Sequence, residues 1–313
     1  MPLIAPQRPF LDWSVDTEPD RWGPVEAAII GLPFSEHYSG EPRPNDQAAA
    51  PEAIRAQSGQ FCDGTLHWDF DIGGPLARLL PAGGRDAGNL VEGGPDFDAH
   101  FAESVAVLKR HVATARIAAV LGGDHGVTIP VLHALEVLGR PVHLVQIDAH
   151  LDWRDEVRGA RRGYSSPMRR ASELPWISGI TQIGLRGTGS ARAEEVEAAR
   201  DHGAALFPAH DLHAHGLGPV LAHLRGRGPF HLTVDADGLD PSVMPAVLGP
   251  VPGGLRVEDV RRILRHLAGE GGLRSVDIVE VAPSVDLPNA ITSVTAGRLM
   301  INAIGAALGA AGA

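Results

Sequence analysis

From about Val25 to Leu308, short apolar runs alternate with longer stretches of helical period. In the longer stretches apolar residues recur every three or four positions, whereas the short runs are continuously apolar, as in strands that are buried on both faces. This alternation is typical of repeated strand–helix–strand units, in which helices cover both faces of a parallel sheet. The pattern therefore predicts an α/β fold.

The same pattern predicts the individual elements. The predicted strands are Ala27–Gly31, Ile117–Leu121, Val142–Ile147, Ile180–Leu185, Ala204–Phe207, Phe230–Val234 and Val276–Val281. The predicted helices are Glu103–Thr114, Val127–Leu138, Ala191–His202, Leu217–Leu224, Val257–Gly269 and Val294–Leu308. Three segments rich in proline and glycine, 40–51, 80–96 and 241–254, are predicted to be loops. Because no low-complexity linker or internal repeat divides the chain, residues 1–313 are predicted to form one domain.

Charge and cysteine usage limit the possible partners and compartment. The chain has 27 basic and 38 acidic residues, so its net charge of −11 repels nucleic acid and anionic lipid. Its one cysteine, Cys62, favours a reducing cytoplasm, and the N-terminus lacks the pattern of a signal peptide. The apolar stretch Ala303–Ala313 is shorter than the about 20 residues that span a bilayer. We therefore expect a cytoplasmic protein without nucleic-acid or membrane partners.

Three polar clusters follow three of the predicted strands. They are Gly-Gly-Asp-His at 122–125, Asp-Ala-His-Leu-Asp at 148–152 and Asp-Ala-Asp-Gly-Leu-Asp-Pro at 235–241. One such cluster alone is usually a helix cap or a turn. The carboxyl ends of parallel strands, however, meet at one edge of the sheet, where α/β proteins bind their ligands. The three clusters are therefore predicted to converge on one site.

The residue types in these clusters are those of a metal centre. Side chains alternate along extended backbone, which predicts that Asp148, His150 and Asp152 share one side. Asp235 and Asp237 share a side in the same way, and a further candidate ligand is His125. Four clustered carboxylates repel one another unless cations lie between them, and two divalent ions would balance their charge. Oxygen and imidazole ligands without sulfur favour Mn²⁺, with Co²⁺, Ni²⁺ or Zn²⁺ as alternatives.

Together with Asp-Ile-Val-Glu-Val-Ala-Pro at 277–283, these motifs resemble the ureohydrolase family, which contains arginases, agmatinases and other hydrolases of guanidino compounds. The resemblance extends from about Ala28 to the C-terminal helix. It implies a three-layer α/β/α fold around a mostly parallel sheet of about eight strands. It also implies two Mn²⁺ ions per chain and assembly into homotrimers or homohexamers.

The resemblance also implies individual roles in the metal centre. His125 and Asp237 would be terminal ligands of different ions, and His150 would bind the second ion. The remaining aspartates of the set would bind one ion or both; they are Asp148, Asp152 and Asp235.

Two metals about 3.5 Å apart can hold a bridging hydroxide at neutral pH, and this hydroxide would attack the guanidinium carbon. Glu280, in the Glu-Val-Ala-Pro context, would accept hydrogen bonds from the guanidinium and hold its carbon over the bridge. Asp152 would take the proton of the hydroxide and pass it to the leaving amine. The products would be urea and an amine.

The loop after the second motif departs from the family pattern. Many relatives carry a proton-shuttling histidine there, whereas residues 162–170 read Arg-Gly-Tyr-Ser-Ser-Pro-Met-Arg-Arg, with Ser165 or Ser166 near the expected position. These serines, together with Trp153 and His37, are the predicted substrate-binding residues beside Glu280. His37 could replace the missing histidine or be an ordinary surface or subunit-contact residue. Trp153 could instead be a wall that keeps the loop packed.

The predicted activity is hydrolysis of agmatine to putrescine and urea, a reaction of polyamine biosynthesis. Arginine is expected to be a poor substrate because the segment Trp153–Ser166 carries Arg, Asp and Glu instead of the Asn, Ser and Thr that serve an amino acid. One alternative is an ω-guanidino-acid hydrolase. Another is a catalytically weak metal-binding homologue, which the missing histidine supports.

Overall fold

The computed structural model describes residues 3–41, 44–59, 65–91, 96–189 and 191–309. Cys62, on which the predicted reducing compartment rests, lies outside the described residues. So does Arg43, the last residue of the segment 37–43, which the sequence also predicts to meet the far end of the substrate. The organisation into one domain stays a prediction.

The described residues form the following strands and helices. The strands are β1 Leu3–Ile4, β2 Ser14–Val15, β3 Val25–Leu32, β4 Trp68–Asp69, β5 Gly74–Pro75, β6 Gly84–Leu90, β7 Ala115–Gly122, β8 Val142–Ile147, β9 Ile177–Leu185, β10 Ala205–Pro208, β11 Phe230–Asp235 and β12 Leu273–Val279. The helices are α1 Ala50–Ser58, α2 Phe97–Thr114, α3 Thr128–Ala134, α4 Pro167–Ala171, α5 Ala193–His202, α6 Ala209–His215, α7 Gly218–Leu224, α8 Val257–Gly269 and α9 Ile291–Gly309. All the predicted strands and helices are confirmed: β8 and α8 have the predicted ends, and the ends of the other elements are shifted. The predicted helix Val127–Leu138 continues after α3 as a 3-10 turn, Leu135–Leu138.

The main sheet has ten strands in the order β1-β6-β3-β7-β12-β11-β8-β9-β10, with β2 beside β6. From β6 to β10 every neighbouring pair is parallel, which gives eight long parallel strands. The short strand β1 is antiparallel to β6 at the edge. The prediction of a mostly parallel sheet of about eight strands is therefore confirmed, with two short strands in addition.

Helices cover both faces of this sheet, as strand β7 illustrates. Its residues Ile117, Ala119 and Leu121 pack into a core with helices α1, α7, α8 and α9. The alternate residues Ala118 and Val120 pack into a second core with helices α2, α3, α4 and α5. Because successive side chains point to opposite faces of a sheet, a strand that is apolar throughout is buried only when helices cover both faces. The three-layer arrangement follows.

Helix α9 is long and apolar enough to cross a membrane by length and composition, but 72% of its most apolar window is buried inside the fold. It packs against helices α1 and α8 and strands β7 and β12. We therefore describe α9 as a core helix.

One prediction is wrong: the segment 80–96 contains strand β6. Its sequence, Gly-Arg-Asp-Ala-Gly-Asn-Leu, lacks the apolar pattern of a buried strand, yet Asp86 is completely buried. The compensating charge comes from Arg55 of α1, which is also completely buried and whose Nε lies 2.8 Å from Asp86 Oδ2. A paired and hydrogen-bonded charge can be buried, which is why this polar strand lies inside the sheet. Helix α1 likewise begins at Ala50, inside a second predicted loop.

Candidate metal centre and substrate cavity

The four strands β7, β12, β11 and β8 are neighbours in the sheet, and the polar clusters lie directly after their carboxyl ends. Gly123 brings the first of these turns close to its neighbours. A Cβ atom at this position would collide with the carbonyl oxygen of Pro33. The carbonyl oxygen of Gly123 accepts a hydrogen bond from Glu280 N at 2.8 Å. The lack of a side chain at Gly123 therefore lets this turn approach the segment after β3, and the backbone hydrogen bond joins it to the turn after β12.

The sequence pattern predicts that the aspartates of a cluster share one side because side chains alternate along extended backbone. This explanation is wrong, because the aspartates converge through turns that follow the strands. Strand β8 ends at Ile147, and residues 236–238 form a 3-10 turn. Asp148 Oδ1 accepts a hydrogen bond from the His150 N–H at 2.6 Å, and Asp235 Oδ1 accepts one from Asp237 N at 2.8 Å. Such bonds to the backbone two residues later are typical of aspartate turns. The turns bring the side chains together at the sheet edge.

Five of the six predicted ligands form two groups that share Asp148, and the sixth, Asp152, lies beside His125 of the first group. The Nδ1 atom of His125 lies 2.9, 3.1 and 3.2 Å from carboxylate oxygens of Asp152, Asp148 and Asp235. In the second group the ligand atoms belong to Asp148, His150 and Asp237, and His150 Nδ1 is 3.0 Å from Asp237 Oδ2. The ligand atoms in each of the two groups lie within 4.8 Å of one another. Each group could hold one ion.

The orientation of His125 fits a metal ligand. Its Nε2 lies 3.0 Å from Thr233 Oγ1, and when Nε2 donates this hydrogen bond, Nδ1 keeps its lone pair. Nδ1 is buried, accepts no hydrogen bond within the described part of the chain, and faces three carboxylate oxygens. A lone pair that faces carboxylates requires either a proton or a cation between them. Burial lowers the pKa of His125, but the charge of Asp152 and hydrogen bonds with the neighbouring carboxylates raise it well above its usual value.

The aspartates also require compensating charge. Burial, and next the charge of Asp148, raise the pKa of Asp152 to about 7. Burial likewise raises the pKa of Asp235 and of Asp237, in both cases with repulsion from neighbouring carboxylates. Divalent cations would remove this repulsion. The donor set therefore fits a centre for two divalent cations.

Two buried polar residues behind the ligands were not predicted. Gln146 on β8 donates from Nε2 to Asp148 Oδ2 at 2.6 Å and accepts a hydrogen bond at Oε1 from Gln182 on β9 at 2.5 Å. Thr233 on β11 is next to Gln146 in the sheet and contacts His125. Partners of this kind fix the orientation of metal ligands. A polar residue inside an otherwise apolar strand is the signal that could have identified both.

Glu280 stands at the boundary between the metal centre and the cavity. Its backbone has a φ of 63°, and Asp152 has a φ of 51°, in the left-handed region that non-glycine residues rarely adopt. Glu280 Oε1 accepts a hydrogen bond from His125 N at 2.7 Å, and Oε2 accepts one from Gln47 Nε2 at 2.8 Å. Burial, and next repulsion from Asp124, raise the pKa of Glu280 to about 8. A cationic ligand beside this carboxyl group would compensate its charge and favour the ionised form.

A cavity of about 700 Å³ opens above these residues. Besides the metal-centre residues and Glu280, its wall contains Glu41, Asn45, Asp46, Gln47, Arg154, Tyr164, Ser165, Gly189, Leu248 and Gly249. The cavity is large enough for a small extended molecule, since ligand pockets commonly range from about 300 to 1,000 Å³.

Of the other predicted substrate contacts, the structure brings only Ser165 into the cavity wall. Ser166 is completely buried, and Trp153 is buried with its ring 5.8 Å from that of His202. Trp153 therefore packs as a wall behind the loop. His37 is partly buried and interacts electrostatically with Asp124.

Comparison with known proteins gives consistent results. The model of the arginase family matches residues 25–305. The mitochondrial agmatinase of Gallus gallus is 32% identical over 269 residues, which cover 84% of this chain and 76% of that protein. The guanidinobutyrase of Pseudomonas aeruginosa is 36% identical over 171 residues, 53% of each chain. The structure of proclavaminate amidinohydrolase from Streptomyces clavuligerus superposes with a TM-score of 0.83 at 26% identity, covering 98% of both chains. Residues 25–305, which the family model matches, include the polar turns and Glu280.

Proposed function

This chain belongs to the arginase family and is a hydrolase that acts on guanidino compounds, and we propose that its substrate is agmatine, which it converts to putrescine and urea. The observation that carries this choice is the presence of two further carboxylates, Glu41 and Asp46, in the wall of the cavity that also contains Glu280.

The proposed metal pair consists of two Mn²⁺ ions, with Co²⁺, Ni²⁺ or Zn²⁺ as alternatives. The four aspartates and two histidines of the centre would hold them, which the buried lone pair on His125 Nδ1 supports. When bound, the cations would neutralise the carboxylates and lower the pKa of water enough to generate a nucleophile near neutral pH.

The protein residues would orient the substrate and move the proton. Glu280 would accept hydrogen bonds from the guanidinium and hold its carbon beside the metal centre, since the carboxylate lies in the cavity wall there. Asp152 would accept the proton released by the attacking water and deliver it to the leaving amine. The position of Asp152 in the cavity wall, beside His125 of the candidate metal centre, supports this role. C–N cleavage then yields urea and the free amine.

The outer cavity supports a cationic far end for the substrate. Tyr164 donates a hydrogen bond to Glu41 Oε1 at 2.9 Å, which holds this carboxylate at the cavity wall. Asp46 is fixed through its hydrogen bonds with Ser284 N at 3.1 and 3.3 Å. Agmatine carries an ammonium group at this end, and two carboxylates can bind it.

A second candidate substrate is an ω-guanidino acid, which Arg154 favours because it also lines the cavity. The similarity to a guanidinobutyrase supports the same candidate. However, Arg154 Nε lies 3.5 Å from Glu195 Oε1, so its charge is partly compensated within the protein. We therefore place agmatine first and the guanidino acid second.

Purified protein loaded with Mn²⁺ tests the proposal with agmatine as substrate. We expect equal amounts of urea and putrescine, and loss of both products after treatment with a chelator. Absence of urea from every guanidino compound tried would instead support the catalytically weak metal-binding homologue.

Assembly into a homotrimer or homohexamer is also part of the proposal. It is supported by the hairpin of strands β4 and β5, where Trp68 is 58% exposed and the following Phe70 is 90% exposed. Large exposed apolar side chains often mark subunit contacts. Light scattering that gives the mass of a monomer at micromolar concentration would contradict it. We also propose a cytoplasmic location. A role in polyamine biosynthesis follows from the proposed product, because putrescine is a diamine of that pathway.

A further inference from the structure

The 3-10 turn Asp46–Ala49, just before helix α1, places Gln47 in the cavity wall beside Glu280. Gln47 is only 5% exposed, which is unusual for a glutamine. Its Nε2 atom donates a hydrogen bond to Glu280 Oε2 at 2.8 Å, across 233 residues of sequence. The side chain therefore contacts the carboxylate that is to bind the guanidinium.

The other half of the same carboxamide is unpaired. Gln47 Oε1 is buried and has no hydrogen-bond partner in the part of the chain that the structure describes. Buried carbonyl groups almost always accept a hydrogen bond, so an unpaired one in a cavity wall indicates that a ligand completes it. Exchanging the oxygen and nitrogen of the amide would not solve the problem, because Oε1 would then face an oxygen of the Glu280 carboxylate.

Neighbouring residues fix the turn that carries Gln47. Asn45 Nδ2 donates a hydrogen bond to Asp124 Oδ2 at 2.7 Å, next to the ligand His125. On the other side, Asp46 accepts hydrogen bonds from Ser284 N, in the loop that follows Glu280. The turn is thus attached to the segments after β7 and β12. Gln47 is held in place before any ligand arrives.

We propose that Gln47 belongs to the guanidinium-binding site: Nε2 holds the Glu280 carboxylate, and Oε1 accepts a hydrogen bond from an N–H group of the substrate. This inference rests on the proposed function. A guanidinium carries more N–H donors than Glu280 can readily satisfy, since each oxygen of Glu280 already accepts one bond from the protein. The amide oxygen of Gln47 would accept one more hydrogen bond from the guanidinium without adding a further negative charge to an acidic site.

The substitution Gln47→Met tests this role, because methionine has a similar length but lacks both the donor and the acceptor. We expect kcat/KM for agmatine to fall about tenfold, which corresponds to about 1.4 kcal/mol. Putrescine is the second probe, as a competitive inhibitor that keeps the chain of agmatine but lacks the guanidinium. Its inhibition constant should stay within twofold, with two ions still bound per chain. Gln7→Met, the same change at an exposed position, is the control and should leave all three values unchanged.

A fall in kcat/KM of less than fivefold would overturn the inference. So would a parallel weakening of putrescine, because the substitution would then have changed the shape of the cavity rather than removed a contact to the guanidinium. If Gln47→Met does not fold or loses metal, Gln47→Asn takes its place with the same expectations, since the shorter amide cannot reach Glu280. The proposed function fails separately, if the wild-type protein releases no urea from any guanidino compound.

Discussion

The backbone N–H of His125 donates a hydrogen bond to Glu280 Oε1 at 2.7 Å, although 155 residues separate the two in sequence. His125 belongs to the candidate metal centre, and Glu280 is the proposed guanidinium acceptor. This bond sets the distance between the turn after β7 and the carboxylate after β12. Hydrolysis requires that the nucleophile, which would form at the metal centre, and the guanidinium carbon, which Glu280 would hold, lie at a fixed distance from each other.

Glu280→Gln is expected to separate substrate binding from metal binding. The amide oxygen of glutamine can still accept the hydrogen bond from His125 N, so both ions should remain bound. Turnover of agmatine should fall by about a hundredfold or more, because the charge that pairs with the guanidinium is lost. Metal analysis and urea release on the same sample measure the two effects.

The matched comparison is His125→Asn or Asp237→Asn, which removes a ligand from one group. We expect each variant to retain fewer than two ions per chain. Loss of metal from Glu280→Gln as well would show that the role assigned to Glu280 is wrong.

Removal of the metals should destabilise the fold. Asp148, Asp152, Asp235 and Asp237 lie together and buried, and burial together with repulsion between the carboxylates raises the pKa of Asp152, Asp235 and Asp237. Bound cations would compensate these charges in the folded state only, so they stabilise it. We expect the thermal unfolding midpoint to fall by several degrees after chelation and to recover when Mn²⁺ is added. An unchanged midpoint, in protein first shown to hold two ions per chain, would contradict this expectation.

Glu41→Gln should weaken binding of agmatine selectively. The glutamine oxygen can still accept the hydrogen bond from Tyr164, so the loop should keep its position while one charge that faces the ammonium group is lost. We expect KM for agmatine to rise about fivefold to tenfold with little change in kcat, and no rise for guanidinobutyrate. Glu156→Gln, an exposed position that does not line the cavity, is the control. An equal rise for both substrates would contradict the proposed contact.

His111, away from the cavity, should make the fold sensitive to acid. Burial, and next the charge of Arg85, lower the pKa of His111 to about 3 in the folded chain, whereas the unfolded chain titrates near 6.5. The unfolded state therefore binds more protons between these values, so stability is complete above pH 6.5 and is lost as the pH falls. In His111→Gln, the loss of unfolding free energy between pH 7 and pH 5 should be smaller by about 2 kcal/mol.

His210→Gln is the control for this experiment, because the His210 side chain is 80% exposed. Its pH dependence should match that of the wild type. Identical pH dependence of His111→Gln and the wild type would show that the buried histidine does not contribute.

The sequence pattern predicts those parts of the fold in which apolar spacing is regular. Strand β8 and helix α8 have the same ends in the prediction and in the structure. Strand β6 could not be predicted from its local sequence, because Asp86 is buried only through its pairing with Arg55 on a distant helix. Pairing of this kind depends on the folded arrangement and leaves no periodic signal.

The same limit applies to the site. The polar clusters after the strands are predictable, because parallel strands deliver their carboxyl ends to one edge of the sheet. The contact of Gln47 with Glu280 is not predictable, since Gln47 lies in a segment rich in proline whose path is set by contacts with Asp124 and Ser284.

The substrate preference of the metal-loaded protein is the decisive test of the proposed function. We would measure kcat/KM from urea release with agmatine, guanidinobutyrate and arginine under the same conditions. We expect the highest value for agmatine, with arginine at least about tenfold lower, because the carboxylates in the cavity wall would attract an ammonium group and repel the carboxylate of arginine. The highest value for guanidinobutyrate, or a value for arginine within tenfold of the best substrate, would contradict it.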